Sequence, residues 1–176
     1  MIFTETKLKG AFVIEPERHE DERGFFARVW DSKEFAKKGL ARKIVQQSIS
    51  FNKQKGTLRG MHWQARPHEE NKLVHVTRGK IYDVIIDMRR DSGTYKKYFA
   101  VELSGENRAM LWVPKGLAHG FLTLEDNTEV FYQMSEFYSP EHARGVRFDD
   151  PAFNVSWPEE VMVISERDKT YPDFTQ

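Results

Sequence analysis

From residue 72 onward the sequence alternates with a period of two, and short clusters of turn-forming residues interrupt that alternation at near-regular intervals. Tyr82, Val84, Ile86 and Met88 interleave with Ile81, Asp83, Ile85 and Asp87. Successive side chains of an extended backbone point to opposite sides, so this pattern predicts a strand with two unlike faces. Further strand-like runs cover residues 73–77, 98–103, 109–113, 117–124 and 128–138. The first is predicted to pair with residues 80–88 as a hairpin turned at Arg78-Gly79. Ser104-Gly105-Glu106-Asn107, Pro114-Lys115-Gly116 and Glu125-Asp126-Asn127 separate the others. Their spacing of roughly 8–12 residues is that of an antiparallel sandwich or barrel.

The flanks read differently. Residues 12–15 and 25–30 look like strands whose partners a single sequence does not assign, and an edge strand exchanged in a dimer is one solution. Residues 31–38 carry helix signals: Asp31 as N-cap, Glu34 at the capping-box offset, Lys37 and Lys38 at the negative end and Gly39 as the stop. After Tyr138 the alternation fades into Ser139-Pro140-Glu141, Asp149-Asp150-Pro151 and Trp157-Pro158, read as loops and single turns packed on the barrel, with a capped helical turn at residues 165–169. The expectation is one domain over residues 1–176: N-terminal strands and helix in 1–50, barrel core in 51–138, and a C-terminal segment closing the site in 139–176. A chain of 176 residues can bury roughly 70% of its unfolded surface without covalent staples.

Composition narrows the partners. Lys plus Arg and Asp plus Glu are 27 each, so no global field favours nucleic acid or an anionic membrane. The absence of Cys excludes disulfides, thiolate metal sites and a Cys nucleophile, leaving any metal to His and carboxylate ligands. Residues 1–7 lack the apolar run of a signal peptide and no apolar stretch approaches ~20 residues, so a cytoplasmic protein is expected.

Two histidines invite a chemical reading. In Gly56-Thr57-Leu58-Arg59-Gly60-Met61-His62-Trp63-Gln64, Arg59 and His62 are three apart and would leave opposite faces of a regular strand, so bringing them to one site requires a bend at Gly60. Taken alone, His62 fits either a hydrogen-bonded rim histidine or a general base, and Arg59 either a surface salt bridge or an anion ligand. His119, embedded in Gly116-Leu117-Ala118-His119-Gly120-Phe121, needs a partner if buried. Metal catalysis is disfavoured because His62, His68, His75 and His119 form neither a His-x-His pair nor a His-Glu-x-x-His helix. Tyr132 in isolation fits core packing, and the charges at 165–169 fit a solvated face. No phosphate-binding Gly loop and no Gly-x-Ser-x-Gly elbow occurs.

Read together, Asp21-Glu22-Arg23-Gly24-Phe25-Phe26, Leu58-Arg59-Gly60-Met61-His62-Trp63-Gln64, Lys72-Leu73-Val74, Gly116-Leu117-Ala118-His119-Gly120-Phe121 and Ser165-Glu166-Arg167-Asp168 resemble the dTDP-4-dehydrorhamnose 3,5-epimerase family in order and spacing, from about residue 4 to 172. The resemblance implies a mainly β, cupin-type jelly-roll barrel with a short N-terminal helix and C-terminal turns. It further implies a homodimer exchanging N-terminal strands, and cofactor-free, metal-free epimerisation at C3 and C5 of a nucleotide-linked 4-keto-6-deoxy sugar. By the same resemblance His62 is the base, Asp168 its orienting carboxylate, Lys72 the group facing the enolate oxygen and Tyr132 the acid on the opposite face. His119 would position the sugar, Arg59 and a partner subunit's copy of Arg23 the diphosphate, and Tyr138 the nucleobase, with Arg167 among the substrate contacts.

Four positions depart from the family pattern: Arg28 where Glu is common, Ser48 for Asn, Ala143 for Glu and Arg167 for Lys. All four are expected in the outer substrate shell, where they would alter which nucleotide or sugar is taken while the chemistry persists. Epimerisation of one carbon only, or of another nucleotide sugar, is the nearest alternative. A non-catalytic sugar-nucleotide-binding barrel is the more distant one, since such folds host many functions.

Overall fold

The computed structural model describes residues 1–41 and 43–175. Along the chain the elements are β1 (Ile2–Glu5), β2 (Phe12–Glu15), β3 (Arg18–Asp21), β4 (Gly24–Ala27), α1 (Ser32–Lys37), β5 (Gln46–Asn52), β6 (Thr57–Gln64) and β7 (Lys72–Arg78). They continue as β8 (Lys80–Asp87), β9 (Tyr98–Ser104), β10 (Met110–Val113), β11 (Leu117–Thr123), β12 (Thr128–Met134), β13 (Ala143–Gly145), β14 (Val163–Ile164) and α2 (Glu166–Lys169). The architecture is mainly β and cupin-like. One sheet runs β1-β2-β10-β7-β12-β5 and a second β13-β6-β11-β8-β9, with β14 joined to β6; β3 and β4 pair only with each other.

Successive strands mostly change sheet. The predicted hairpin of β7 with β8 therefore does not form: β7 pairs with β10 and β12, whereas β8 pairs with β11 and β9. Gly79 turns a corner between the sheets instead, at φ +77°, where an added Cβ would lie 2.3 Å from Thr128 Oγ1. Of the N-terminal strands, β1, β2 and β5 belong to the first sheet, while β3 and β4 form a separate hairpin. β2 extends the first sheet beside β10, and β5 closes its other edge beside β12.

Three apolar layers hold this arrangement. Between the sheets, Val74, Val76 and Val130 meet Ile81, Ile85, Leu103, Leu117 and Phe121. On the outside of the first sheet, Ile14, Leu73, Met110 and Trp112 are covered by α1 through Phe35, whose ring centroid lies 5.5 Å from that of Trp112. Removing a fully buried Phe of this kind costs about 3–5 kcal/mol. The helix starts where the sequence places it, with Asp31 Oδ1 accepting from the backbone of Lys33 and Glu34. The second half of the expected capping box is absent, because Glu34 turns to the Met1 amino group, 3.2 Å away. On the outside of the second sheet, Met61, Val84, Ile86 and Ala118 lie beneath Val146, Phe153, Trp157 and Phe174 of the C-terminal segment. Both faces of β8 are thus covered, and the charges it carries inward, Asp83 and Asp87, must find partners inside the protein.

Candidate active site

The site is organised by a β-bulge in β6. His62 stands opposite His119, and Arg59 opposite Phe121, so three steps along β6 match two along β11. The extra residue rotates Arg59 onto the same side as His62, the bend that their spacing required. Only glycine tolerates this place. Gly60 has φ +129°, and a Cβ on it would lie 2.4 Å from Gly120 Cα and 2.9 Å from the His119 carbonyl oxygen. Two facing glycines therefore let the strand backbones approach at the point where both histidines emerge.

His62 Nε2 lies 2.6 Å from Asp168 Oδ1. Asp168 arrives from the opposite end of the chain on α2, a helical turn started by Ser165, whose Oγ accepts from the Asp168 N–H at 3.1 Å. The Gly60 N–H donates to Asp168 Oδ2 at 3.3 Å, so the bulge also grips the carboxylate. Burial pushes the Asp168 carboxyl up, but the hydrogen bond and charge of His62 and the Gly60 N–H outweigh it, holding it below the ordinary carboxylate value. A carboxylate accepting at Nε2 fixes the proton there and leaves Nδ1 as the basic nitrogen. The His62 side chain stays 37% exposed against 6% for Asp168, so the base is reachable while its partner is shielded.

His119 is buried and forms a second pair, Nε2 to Asp83 Oδ1 at 2.7 Å. Its ring meets that of Tyr132 edge-on, with centroids 6.2 Å apart. Tyr132 projects from β12 of the first sheet, whereas His62 and His119 come from the second. Burial, with the Asp83 charge adding and Arg59 opposing, pushes the Tyr132 hydroxyl well above its ordinary pKa and keeps it a proton donor at neutral pH. Lys72, at the start of β7, reaches the same space, and its Nζ sits 3.1 Å from Glu70 Oε1.

A cavity of about 680 Å³ collects His62, Asp168, Arg59, Lys72, His119 and Tyr132. An adjoining lobe of about 310 Å³ shares His62, Lys72 and Tyr132 and adds Gln46, Glu70 and Tyr138, with Arg167 lining both spaces. A larger depression of about 950 Å³ beyond Trp63 has loop residues 89–94 in its lining and includes no His side chain, so volume alone is a poor guide to the chemistry. Eight of the nine sequence-predicted site residues line these two joined spaces. The exception is Arg23, on the β3–β4 hairpin, where its side chain is 84% exposed and pairs with Asp21. Among the departures, Ser48, Ala143 and Arg167 line the smaller lobe together, but Arg28 does not join them. It follows β4 directly, and its guanidinium lies 3.5 Å from Asp31 at the start of α1, with 58% of the side chain exposed.

Sequence reasoning assigned no role to Asp83, Glu70 or Tyr171. Asp83 had a signal, an acid on the inward face of an apolar strand. Glu70 sits in Glu69-Glu70, indistinguishable from a solvated pair. Tyr171 packs its ring where a Cβ on Gly145 would be, 2.2 Å from its Cζ, and its hydroxyl accepts from Arg167 Nε at 2.9 Å. Among the described residues no three His, Asp or Glu side chains converge as a metal ligand set. The arrangement offers a carboxylate-backed imidazole on one sheet, a protonated phenol on the other and an ammonium beside them, the components of proton abstraction next to a carbonyl.

Comparison with known proteins agrees with that chemistry. Residues 5–176 match the family model described as dTDP-4-dehydrorhamnose 3,5-epimerase. A protein of that name from Sinorhizobium fredii is 41% identical over 177 residues, covering 100% of this chain and 91% of the relative. The crystal structure of the Elizabethkingia anophelis enzyme of the same name superposes with a TM-score of 0.95 at 37% identity, covering 99% of this chain and 96% of that one. That of the Bacillus anthracis enzyme, with TDP and PPi bound, superposes with a TM-score of 0.94 at 38% identity over 98% and 99% of the two chains.

Proposed function

The chain belongs to the dTDP-4-dehydrorhamnose 3,5-epimerase family, and from that premise we propose how its own residues invert a nucleotide-linked 4-keto-6-deoxy sugar at C3 and C5. The protein is an isomerase. Its substrate's C4 ketone makes the hydrogens on both neighbouring carbons acidic, but only if a base and an oxyanion stabiliser act together. In this reading His62 Nδ1 takes the proton, and Asp168 stabilises the imidazolium that forms. The electron pair moves into the C4 oxygen, whose developing charge is met by the Lys72 ammonium. Tyr132 then returns a proton to the same carbon from the other face, its phenol losing the proton that the carbon gains. Exchange with water resets acid and base before the second carbon reacts.

The observation that carries this reading is the placement of base and acid on different sheets across one cavity, since inversion requires removal and return on opposite ring faces. His119, held by Asp83, would orient the sugar between them. Arg59 and Arg167 are suited to the diphosphate and Tyr138 to stacking on the base, with the departures Ser48, Ala143 and Arg167 shaping the adjoining lobe.

We further infer a homodimer in which the β3–β4 hairpin, carrying Arg23, reaches the neighbouring site. The hairpin pairs with no other strand and exposes Phe25 and Phe26 at 45% and 68%, and separately the edge strand β5 exposes Ile49 at 60%. Apolar surface of this kind marks association.

The test is incubation with a panel of nucleotide-linked 4-keto-6-deoxy sugars in deuterated water, with the position and configuration of deuterium read by NMR. Incorporation with inversion at C3 and C5 of the dTDP sugar supports the proposal. Incorporation at one carbon identifies a single-carbon epimerase, and binding without exchange identifies a non-catalytic barrel.

A further inference from the structure

Glu70 is a largely buried acid lining the lobe that adjoins the catalytic cavity, and the reaction scheme leaves it unused. It precedes β7, two residues before Lys72, and its Oε1 lies 3.1 Å from Lys72 Nζ, with the two side chains only 10% and 15% exposed. A pocket that must accept a diphosphate gains nothing from a carboxylate in its lining, and shielding such a group from water is costly unless it is paired. Its partner here is the one cation assigned to the enolate oxygen.

A lysine needs such a partner more than an arginine would. Its charge is a point at the end of a flexible four-carbon stem, with no planar fork to fix its direction and much rotamer freedom to lose. Oxyanion stabilisation depends on donors that are in place before charge develops, so an ammonium free to swing toward the cavity mouth stabilises the transition state poorly. The other polar groups shared by the two lobes, on His62, Ser48, Tyr132 and Arg167, include no carboxylate. Asp168 is engaged by His62 and Asp83 by His119. Glu70 is the carboxylate in contact with Lys72.

We propose that Glu70 is the positioning residue of Lys72, anchoring its ammonium on the inner face of the first sheet where the enolate oxygen forms. This rests on the reading of Lys72 as the oxyanion group. The experiment is a double-mutant cycle in the full chain, using Glu70→Gln, Lys72→Ala and the double variant, with Glu70→Asp as the charge-retaining comparison and thermal unfolding to verify folding. Glu70→Gln is expected to lower kcat by about 10-fold to 100-fold with KM little changed, the scale of a misplaced catalytic group. Glu70→Asp should recover part of that loss. In the Lys72→Ala background the Glu70 substitution should cost nothing further. Full activity of Glu70→Gln, or an undiminished loss when Lys72 is already gone, overturns the proposal.

A crystal structure of the Glu70→Gln protein gives a readout independent of turnover, in which Lys72 Nζ should leave its position or lose order. An ammonium that stays in place overturns the positioning role whatever Lys72 does in the reaction. Full activity of Lys72→Ala would instead refute the oxyanion reading, leaving the crystal structure to decide the role of Glu70.

Discussion

Adding one methyl group at residue 60 should both destabilise the protein and disable it. In Gly60→Ala the new Cβ would sit 2.4 Å from Gly120 Cα and 2.9 Å from the His119 carbonyl oxygen, both backbone atoms that no side-chain rotation can move. The residue would also have to hold φ +129°, a conformation that L side chains rarely adopt. Overpacking costs about 1–3 kcal/mol and backbone strain of this kind a similar amount, together about 2–6 kcal/mol. For a chain of this length that corresponds to a fall in Tm of roughly 5–20 °C. The chemical loss should exceed the stability loss, because relief of the clash must separate β6 from β11 where Arg59, His62 and the Gly60 N–H to Asp168 are set. Deuterium exchange into substrate, measured at a temperature where circular dichroism shows the variant folded, is expected to drop by about 10²-fold or more. Gly120→Ala should be milder. Its φ is not in the left-handed region, so the backbone strain is absent, although its Cβ would still lie 2.6 Å from the Met61 sulfur and 2.8 Å from the Arg59 carbonyl oxygen. A Gly60→Ala protein melting within about 2 °C of the parent and exchanging at the parental rate would refute the role assigned to the bulge.

Removing either half of the carboxylate-backed base, by His62→Ala or Asp168→Asn, should lower exchange at both ring carbons by about 10²-fold or more, measured by NMR on folded protein. Near-parental rates in either variant would break the assignment. Asp87, wholly buried, accepts from Arg89, Ser92 and Thr94 at 2.6–2.8 Å. Burial alone would raise its carboxyl, but these donors lower it from 3.8 to about 2. Because its folded pKa lies below the unfolded one, the stabilisation is complete above about pH 4 and fades as pH falls toward 2, amounting to about 2 kcal/mol. Asp87→Asn should cost about 3 kcal/mol near neutrality and flatten that part of the acid limb in urea titrations; an unchanged limb would contradict the assignment. Light scattering should give twice the chain mass, and a monomer retaining full activity on dilution would exclude a shared Arg23.

The strands were legible because a period of two survives in the sequence even where both faces end up covered, as on β8. What joins them was not. Arg78-Gly79 looks the same whether the chain doubles back or crosses to the other sheet, and the choice depends on β7 finding β10 and β12 at a distance. Half of a capping box was legible at Asp31, while the fate of Glu34 depended on Met1, a contact across 33 positions. Within the site, the spacing of Arg59 and His62 demanded a bend at Gly60, and the bulge is there. Asp168 at His62 and Asp83 at His119 are contacts across 106 and 36 positions that no local pattern encodes. The first was reached through family resemblance alone.

Tyr132→Phe tests the two-face mechanism most directly, because it separates removal of a proton from its return. The ring is kept, so packing against His119 and the inner core should persist, while the hydroxyl that burial holds protonated is lost. Deuterium incorporation and product configuration are followed by NMR in one reaction in deuterated water. His62 should still exchange substrate hydrogens with retention, while formation of inverted product falls steeply. Equal loss of exchange and inversion, or inversion at the parental rate, would contradict the assignment of Tyr132 as the acid on the second face.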